Sequence, residues 1–111
     1  MSEQCIFCNI AQGSIPAQVI YQDEAAIAFR DINPQAPVHV LVIPRLHVPS
    51  IAELPDQLCH PLLHAINAVV RQEGIAASYR VVTNVGPAAG QSVFHLHFHV
   101  LSGRTFSWPP G

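Results

Sequence analysis

Polar and apolar side chains alternate most regularly near the C-terminus, where Val93-Phe94-His95-Leu96-His97-Phe98-His99-Val100-Leu101 follows Ser92. Successive side chains of a β-strand point to opposite faces, so this run predicts a strand with Leu96, Phe98 and Val100 in a core. His95, His97 and His99 then share the other face. Earlier in the chain, Val19-Ile20-Tyr21 and Ala26-Ile27-Ala28-Phe29-Arg30 flank the polar Gln22-Asp23-Glu24, the pattern of a β-hairpin. Residues 38–43 are β-branched apart from His39 and Leu41 and stop at Pro44, which lacks a ladder donor. Residues 79–83 read as a further strand.

Helical spacing occurs twice. Ile6, Phe7 and Ile10 mark a short amphipathic turn over residues 5–11 that Gly13 can end. Residues 56–74 predict the principal helix, with Asp56 as N-cap, Gly74 as the stop, and Leu58, Leu62, Ile66, Val69 and Val70 as its apolar stripe. Pro61 lacks a donor beyond the first turn, so the helix begins there or kinks. Cys59, His60 and His64 read as helix-surface or packing residues. Asp31-Ile32-Asn33-Pro34-Gln35-Ala36-Pro37 is turn chemistry, and residues 84–92 form a small-residue loop leading into the histidine run. Strands, one long helix, then strands define the α+β class, an antiparallel sheet with a helix on one face.

Composition narrows the function. With 111 residues, the chain has room for one domain. Half of it is hydrophobic and 11% is charged, a sparse polar surface consistent with apolar surface covered by another subunit. A formal net charge of -2 excludes a broad nucleic-acid footprint. No apolar run reaches the ~20 residues that span a bilayer, and Met1-Ser2-Glu3-Gln4-Cys5 lacks a secretory pattern, so a cytoplasmic location is expected. Three cysteines argue against a disulfide framework in a reducing compartment, and Cys5 and Cys8 have the spacing of a metal-binding or redox pair.

Three imidazoles on one strand face call for a phosphate, a metal or proton chemistry. Gly90-Gln91-Ser92 can offer backbone amides and a hydroxyl to an anion. A neutral imidazole at the middle position can attack phosphorus if its other nitrogen donates to a fixed acceptor, for which a carbonyl of the glycine loop would serve. A second, protonated histidine two residues along can bond the phosphoryl oxygens.

His95-Leu96-His97-Phe98-His99-Val100 with the preceding Gly90-Gln91-Ser92 resembles the histidine triad (HIT) family of nucleotidyl hydrolases and transferases, and Trp108-Pro109-Pro110-Gly111 resembles the ending of its Hint branch. The resemblance runs over essentially the whole chain. It implies a HIT-like fold, a five-stranded antiparallel sheet with one long helix and a short N-terminal helix, and a purine nucleoside 5′-phosphoramidate as substrate. His97 would be the nucleophile, His99 would hold phosphoryl oxygens, and Ser92 would meet the departing group. Asp31 would accept hydrogen bonds from the ribose, and Asn84, Gly90 and Gln91 would complete the phosphate side. Ile6, Phe7, Ile10, Ile15, Phe29 and Ile32 resemble the pocket for the base.

Two features depart from the usual eukaryotic pattern. Pro87-Ala88-Ala89 replaces a more polar loop, and Cys5-Ile6-Phe7-Cys8 resembles a zinc-binding bacterial variant, which implies Cys5, Cys8, His47 and His95 as ligands. Two thiolates and two imidazoles suit structural zinc and leave no position for an activated water. No organic cofactor is expected. The resemblance further implies a homodimer, with the long helix and a central strand at the interface and the tail near the partner's pocket. Dinucleoside polyphosphate hydrolysis and a non-catalytic nucleotide- or zinc-binding module stay open as alternatives.

Overall fold

The protein is described by a computed structural model covering residues 4–111; residues 1–3, part of the start read above for a leader, lie outside the described residues. Helix α1 (Ile6–Ala11) leads into β1 (Val19–Gln22), β2 (Ala26–Arg30) and β3 (Val38–Pro44). Helix α2 (Asp56–Glu73) follows, then β4 (Arg80–Val82) and β5 (Phe98–Ser102). All five strands form one antiparallel sheet in the order β1-β2-β3-β5-β4. No described helix is long and apolar enough to cross a membrane.

The pleat sorts the strands into two faces. One carries Ala26, Ala28, Val40, Val42, Phe98 and Val100 against Leu62, Ala65, Ile66, Val69 and Val70 of α2, and this is the larger core. The other carries Ile27, Phe29, Leu41 and Ile43, which pack against Phe7 of α1. Six residues of helix cannot cover a five-stranded face. The second face is therefore left partly concave.

Three expectations need correction. The histidine run pairs as a strand only from Phe98; residues 95–97 have left the ladder, and the Leu96 amide donates instead to the Val48 carbonyl at 2.7 Å. The α2 N-cap is Pro55, without a side-chain cap bond, and Asp56 is the first helical residue, where its carboxylate complements the helix dipole. Pro61 lies inside α2, which begins before it, so the alternative that the helix starts at Pro61 does not hold. The amide it lacks would have served the Gln57 carbonyl, and Gln57 is exposed enough for water to satisfy that carbonyl. Gly74 ends α2 as expected, at φ 69° with the Ile75 amide on the Val70 carbonyl at 3.1 Å.

Candidate active site

Cys5 caps α1, its Sγ accepting the Cys8 amide at 3.4 Å, so the helix start itself holds both thiols on one side. His47 arrives from the segment after β3, and His95 from the bend before β5. The four ligand atoms lie within 4.8 Å of one another. Cys5 Sγ is 3.4 Å and Cys8 Sγ 3.5 Å from His95 Nδ1, while His47 Nδ1 is 3.2 Å from both Cys8 Sγ and His95 Nδ1. Ligands at about 2.0–2.3 Å from a tetrahedral zinc sit roughly 3.3–3.8 Å apart, and these four edges lie at the short end of that spacing. The His95 tautomer points the same way. Its Nε2 lies 2.8 Å from the Pro44 carbonyl, which can only accept, so the proton is on Nε2 and the Nδ1 lone pair faces the thiols. Burial depresses the His95 pKa, with His47 and His97 adding to the effect and the Pro44 bond opposing it.

His97 is the next imidazole along, buried and in edge-on contact with Phe7 at 5.1 Å between ring centres. Its Nδ1 lies 2.8 Å from the His95 carbonyl. A carbonyl accepts only, so Nδ1 carries a proton, and in the neutral ring Nε2 is the nitrogen with the free lone pair. The acceptor is thus the backbone of the neighbouring triad histidine rather than the expected glycine loop. Thr83 Oγ1 donates to the His97 carbonyl at 2.8 Å and ties the residue to the end of β4.

His99 is held by a residue the alternating pattern does not contain. His39, on β3, accepts the Gln35 amide on Nδ1 at 3.0 Å, which puts its proton on Nε2. That nitrogen lies 2.9 Å from His99 Nδ1 and 3.4 Å from Asp31 Oδ2. His39 therefore donates to His99 Nδ1, and the His99 proton resides on its other nitrogen. Burial, the field of His97 and that of His39 lower the His99 pKa to about 4, against the opposing pull of Asp31. The expected protonated His99 is corrected: near neutrality the ring is uncharged and acts as a neutral donor. The clue to His39 was available, since it is the one polar residue of an otherwise apolar strand.

A cavity of about 340 Å³ opens on this face. Its walls collect Ile6, Phe7 and Ile10 from α1, Ile15 from the following turn and Phe29 from β2. Asp31, Ile32, Ser92, His97 and His99 line the same space. Ile32 is 98% exposed and stands at the rim of the cavity. Asp31 Oδ1 accepts the Asn33 amide at 2.8 Å, so the residue also shapes its turn.

Asn84, Gly90 and Gln91 are not among the residues lining that cavity. The Gln91 side chain is spent on the loop: Oε1 accepts the Gly86 amide, and Nε2 donates to the carbonyls of Pro49 and Val93. Gly90, at φ 97°, runs beside the Asn84 side chain, and Asn84 lines a neighbouring cavity that also touches His99.

Fold and site together define a pocket on one face of the sheet, beside aligned imidazoles, and residues 12–106 match the HIT domain model. The chain belongs to the HIT domain family. It is 45% identical to the 14 kDa zinc-binding protein of Zea mays, over 96% of this chain and 87% of that one. It is 40% identical to adenylylsulfatase HINT1 of Arabidopsis thaliana, over 96% and 76%. Among solved structures, a HIT family hydrolase from Legionella pneumophila superposes with a TM-score of 0.89 at 44% identity, covering 97% of this chain and all of that one.

Proposed function

We propose that the protein hydrolyses purine nucleoside 5′-phosphoramidates through a covalent nucleotidyl intermediate on His97. The observation that carries this reading is the His97 Nδ1 contact with the His95 carbonyl at 2.8 Å, which makes Nε2 the lone-pair nitrogen of the neutral ring, in a residue that lines a cavity bearing both Asp31 and an apolar wall. The base would stack among Ile6, Phe7, Ile10, Ile15, Phe29 and Ile32, and Asp31 would accept from the ribose hydroxyls. Nε2 of His97 would then bond to phosphorus as the P–N bond breaks and the departing nitrogen takes up a proton from solvent water, with Ser92 beside it. Water attacks the same phosphorus next, the P–N bond to His97 breaks, and nucleoside monophosphate leaves with the ring restored. The neutral N–H of His99 would bond the phosphoryl oxygens as charge builds on them. The hydrolase name of the Legionella pneumophila relative supports the reaction class.

Cys5, Cys8, His47 and His95 would hold a structural zinc, a reading supported by the donor spacing, the His95 tautomer and the name of the Zea mays relative. Such an ion braces the backbone carbonyl on which His97 depends and, with four protein ligands, activates no water. We also infer a cytoplasmic homodimer. Exposed Leu63 on α2 and Val81 on the short edge strand β4 support the dimer, and sedimentation measures it directly.

Replacing His97 by Gly should lower release of AMP from adenosine 5′-phosphoramidate by at least ~100-fold, as expected for loss of a covalent nucleophile. Rapid quench and mass analysis of the native protein should find a nucleotidyl adduct on His97. Unchanged turnover in the variant would remove His97 from the chemistry. Faster turnover of diadenosine polyphosphate than of phosphoramidate would reassign the substrate.

A further inference from the structure

Of the seven histidines, five belong to the site described above and are buried or half-buried. The other two, His60 and His64, are exposed, and both lie on α2, four residues apart. Residues so spaced stand one above the other on a single helix face. Leu62, Ala65, Ile66, Val69 and Val70 fill the core from the opposite side of α2, so the pair occupies the ridge that looks to solvent.

Pro61 lies between the two histidines, yet their rings stay adjacent, with centres 6.2 Å apart and planes inclined by 39°. An ion about 2.0–2.1 Å from an imidazole nitrogen is about 3.2 Å from the ring centre, so two rings on one ion stand at most about 6.4 Å apart. The pair is already within that reach. Rotation about the exposed side-chain bonds brings the centres to the roughly 4.5–5.2 Å that a ligand angle of about 90–110° requires. No hydrogen bond among the described residues engages a nitrogen of either ring, so neither tautomer is locked and each ring has a lone pair to offer.

Charge around the pair favours a cation. His64 meets the Tyr21 ring edge-on at 6.3 Å between centres. The Tyr21 hydroxyl donates to Asp23 Oδ2 at 2.7 Å, and the Ala25 and Ala26 amides donate to Oδ1, which fixes that carboxylate near the histidine ridge. Burial pushes the Asp23 carboxyl up, but those three bonds and the field of His64 bring it below the ordinary carboxylate range. Asp56 stands one turn before His60 on the same row. Arg71, the basic residue of the last turn, is about 10 Å along the axis from His64.

We propose that His60 and His64 form a second metal site on the surface, a two-imidazole chelate for a divalent transition ion such as Ni²⁺, Cu²⁺ or Zn²⁺, with water in the remaining positions and Asp23 as counter-charge. Neutral imidazoles suit these ions and discriminate against Mg²⁺ and Ca²⁺, which take oxygen ligands. The site is independent of the reaction proposed above, because α2 and the cavity beside His97 lie on opposite faces of the sheet. An ion held there staples one turn of the helix that buries the larger core.

Nickel is the probe. The full chain, incubated with zinc and desalted, is titrated with NiCl₂ by calorimetry beside H60Q, H64Q and H60Q/H64Q. At saturation the native protein should hold one more nickel ion per chain than the double variant. Each single variant should bind that ion at least ~100-fold more weakly, because the second imidazole of a chelate acts at a high effective concentration. The paramagnetic ion should broaden amide signals of residues 57–67 and 21–23 in the native protein and leave residues 5–8 sharp. Nickel should also raise the urea midpoint of the native protein but not of H60Q/H64Q, and about 10 mM Mg²⁺ should not compete with it. Equal nickel stoichiometry in the native protein and the double variant, a single variant that binds as tightly as the native protein, or broadening confined to residues 5–8 overturns the site. Broadening is read on the native protein, so the test stands even where a variant does not fold.

Discussion

His39 settles where the His99 proton sits, although it lies 60 residues away in sequence. The relay from the Gln35 amide through His39 to His99 Nδ1 gives every lone pair a donor, and only one placement of protons satisfies it. His39→Phe removes the donor to Nδ1 and frees the His99 proton to settle on either nitrogen. The expected result is a fall in kcat of about 10-fold with a smaller change in KM, the scale seen when the partner of a working imidazole is lost. Nitrogen chemical shifts of the His99 ring should move toward the Nδ1–H form, and unchanged shifts would show that something other than His39 fixes the tautomer. His39→Gln, which can still donate, should restore much of the rate. At this scale the sequence exposed His97 and His99 through their period of two, but not their proton positions. Those depend on the His95 carbonyl and on His39, both of which meet their partners only through the bend and the strand pairing.

Helix α1 is too short to persist alone, and its place is fixed by what its two ends hold. Cys5 and Cys8 sit in the cluster with His47 and His95, while Phe7 packs edge-on against Phe29, His95 and His97, and Ile6 and Ile10 wall the cavity beside His97. A change at the thiols therefore acts on the pocket through the helix that carries both. Adding a chelator to protein loaded with zinc, or replacing Cys5 and Cys8 by Ser, should weaken AMP binding about 5- to 10-fold by calorimetry and speed amide exchange over residues 6–12. Equal AMP affinity with and without zinc would sever the link. The Cys-x-x-Cys spacing was legible beforehand, as was the apolar face of α1, because both are local. The early end of pairing in the histidine run was not. Alternation reports which way side chains point, and it persists through residues 95–97 even where the Leu96 amide leaves the sheet for Val48.

The whole molecule divides its labour between the two faces of one sheet. Helix α2 buries the apolar face, so stability is concentrated there and the other face is free to hold groups that packing alone would not choose. The consequence is a dependence of folding on pH. His39 and His99 both have pKa values depressed below the ordinary 6.5, chiefly by burial, with Asp31 pulling both upward and His97 and His39 pushing His99 further down. Unfolding returns these rings to water, where they bind protons near 6.5. Between that value and about 4 the unfolded chain thus holds more protons than the folded one, and stability falls as pH falls through that window. Asp23 acts in the same direction but lower. Its carboxylate is held below the ordinary 3.8 by bonds from Tyr21, Ala25 and Ala26, which outweigh the opposing effect of burial. The urea midpoint should therefore drop between pH 7.5 and pH 5, and it should drop less in His99→Gln, which cannot charge. The comparison is made on metal-free protein so that loss of ligands to protons does not enter. A midpoint that is level across this range, or a slope identical in His99→Gln, would mean that these rings gain enough hydration on the concave face to titrate as they do in the unfolded chain.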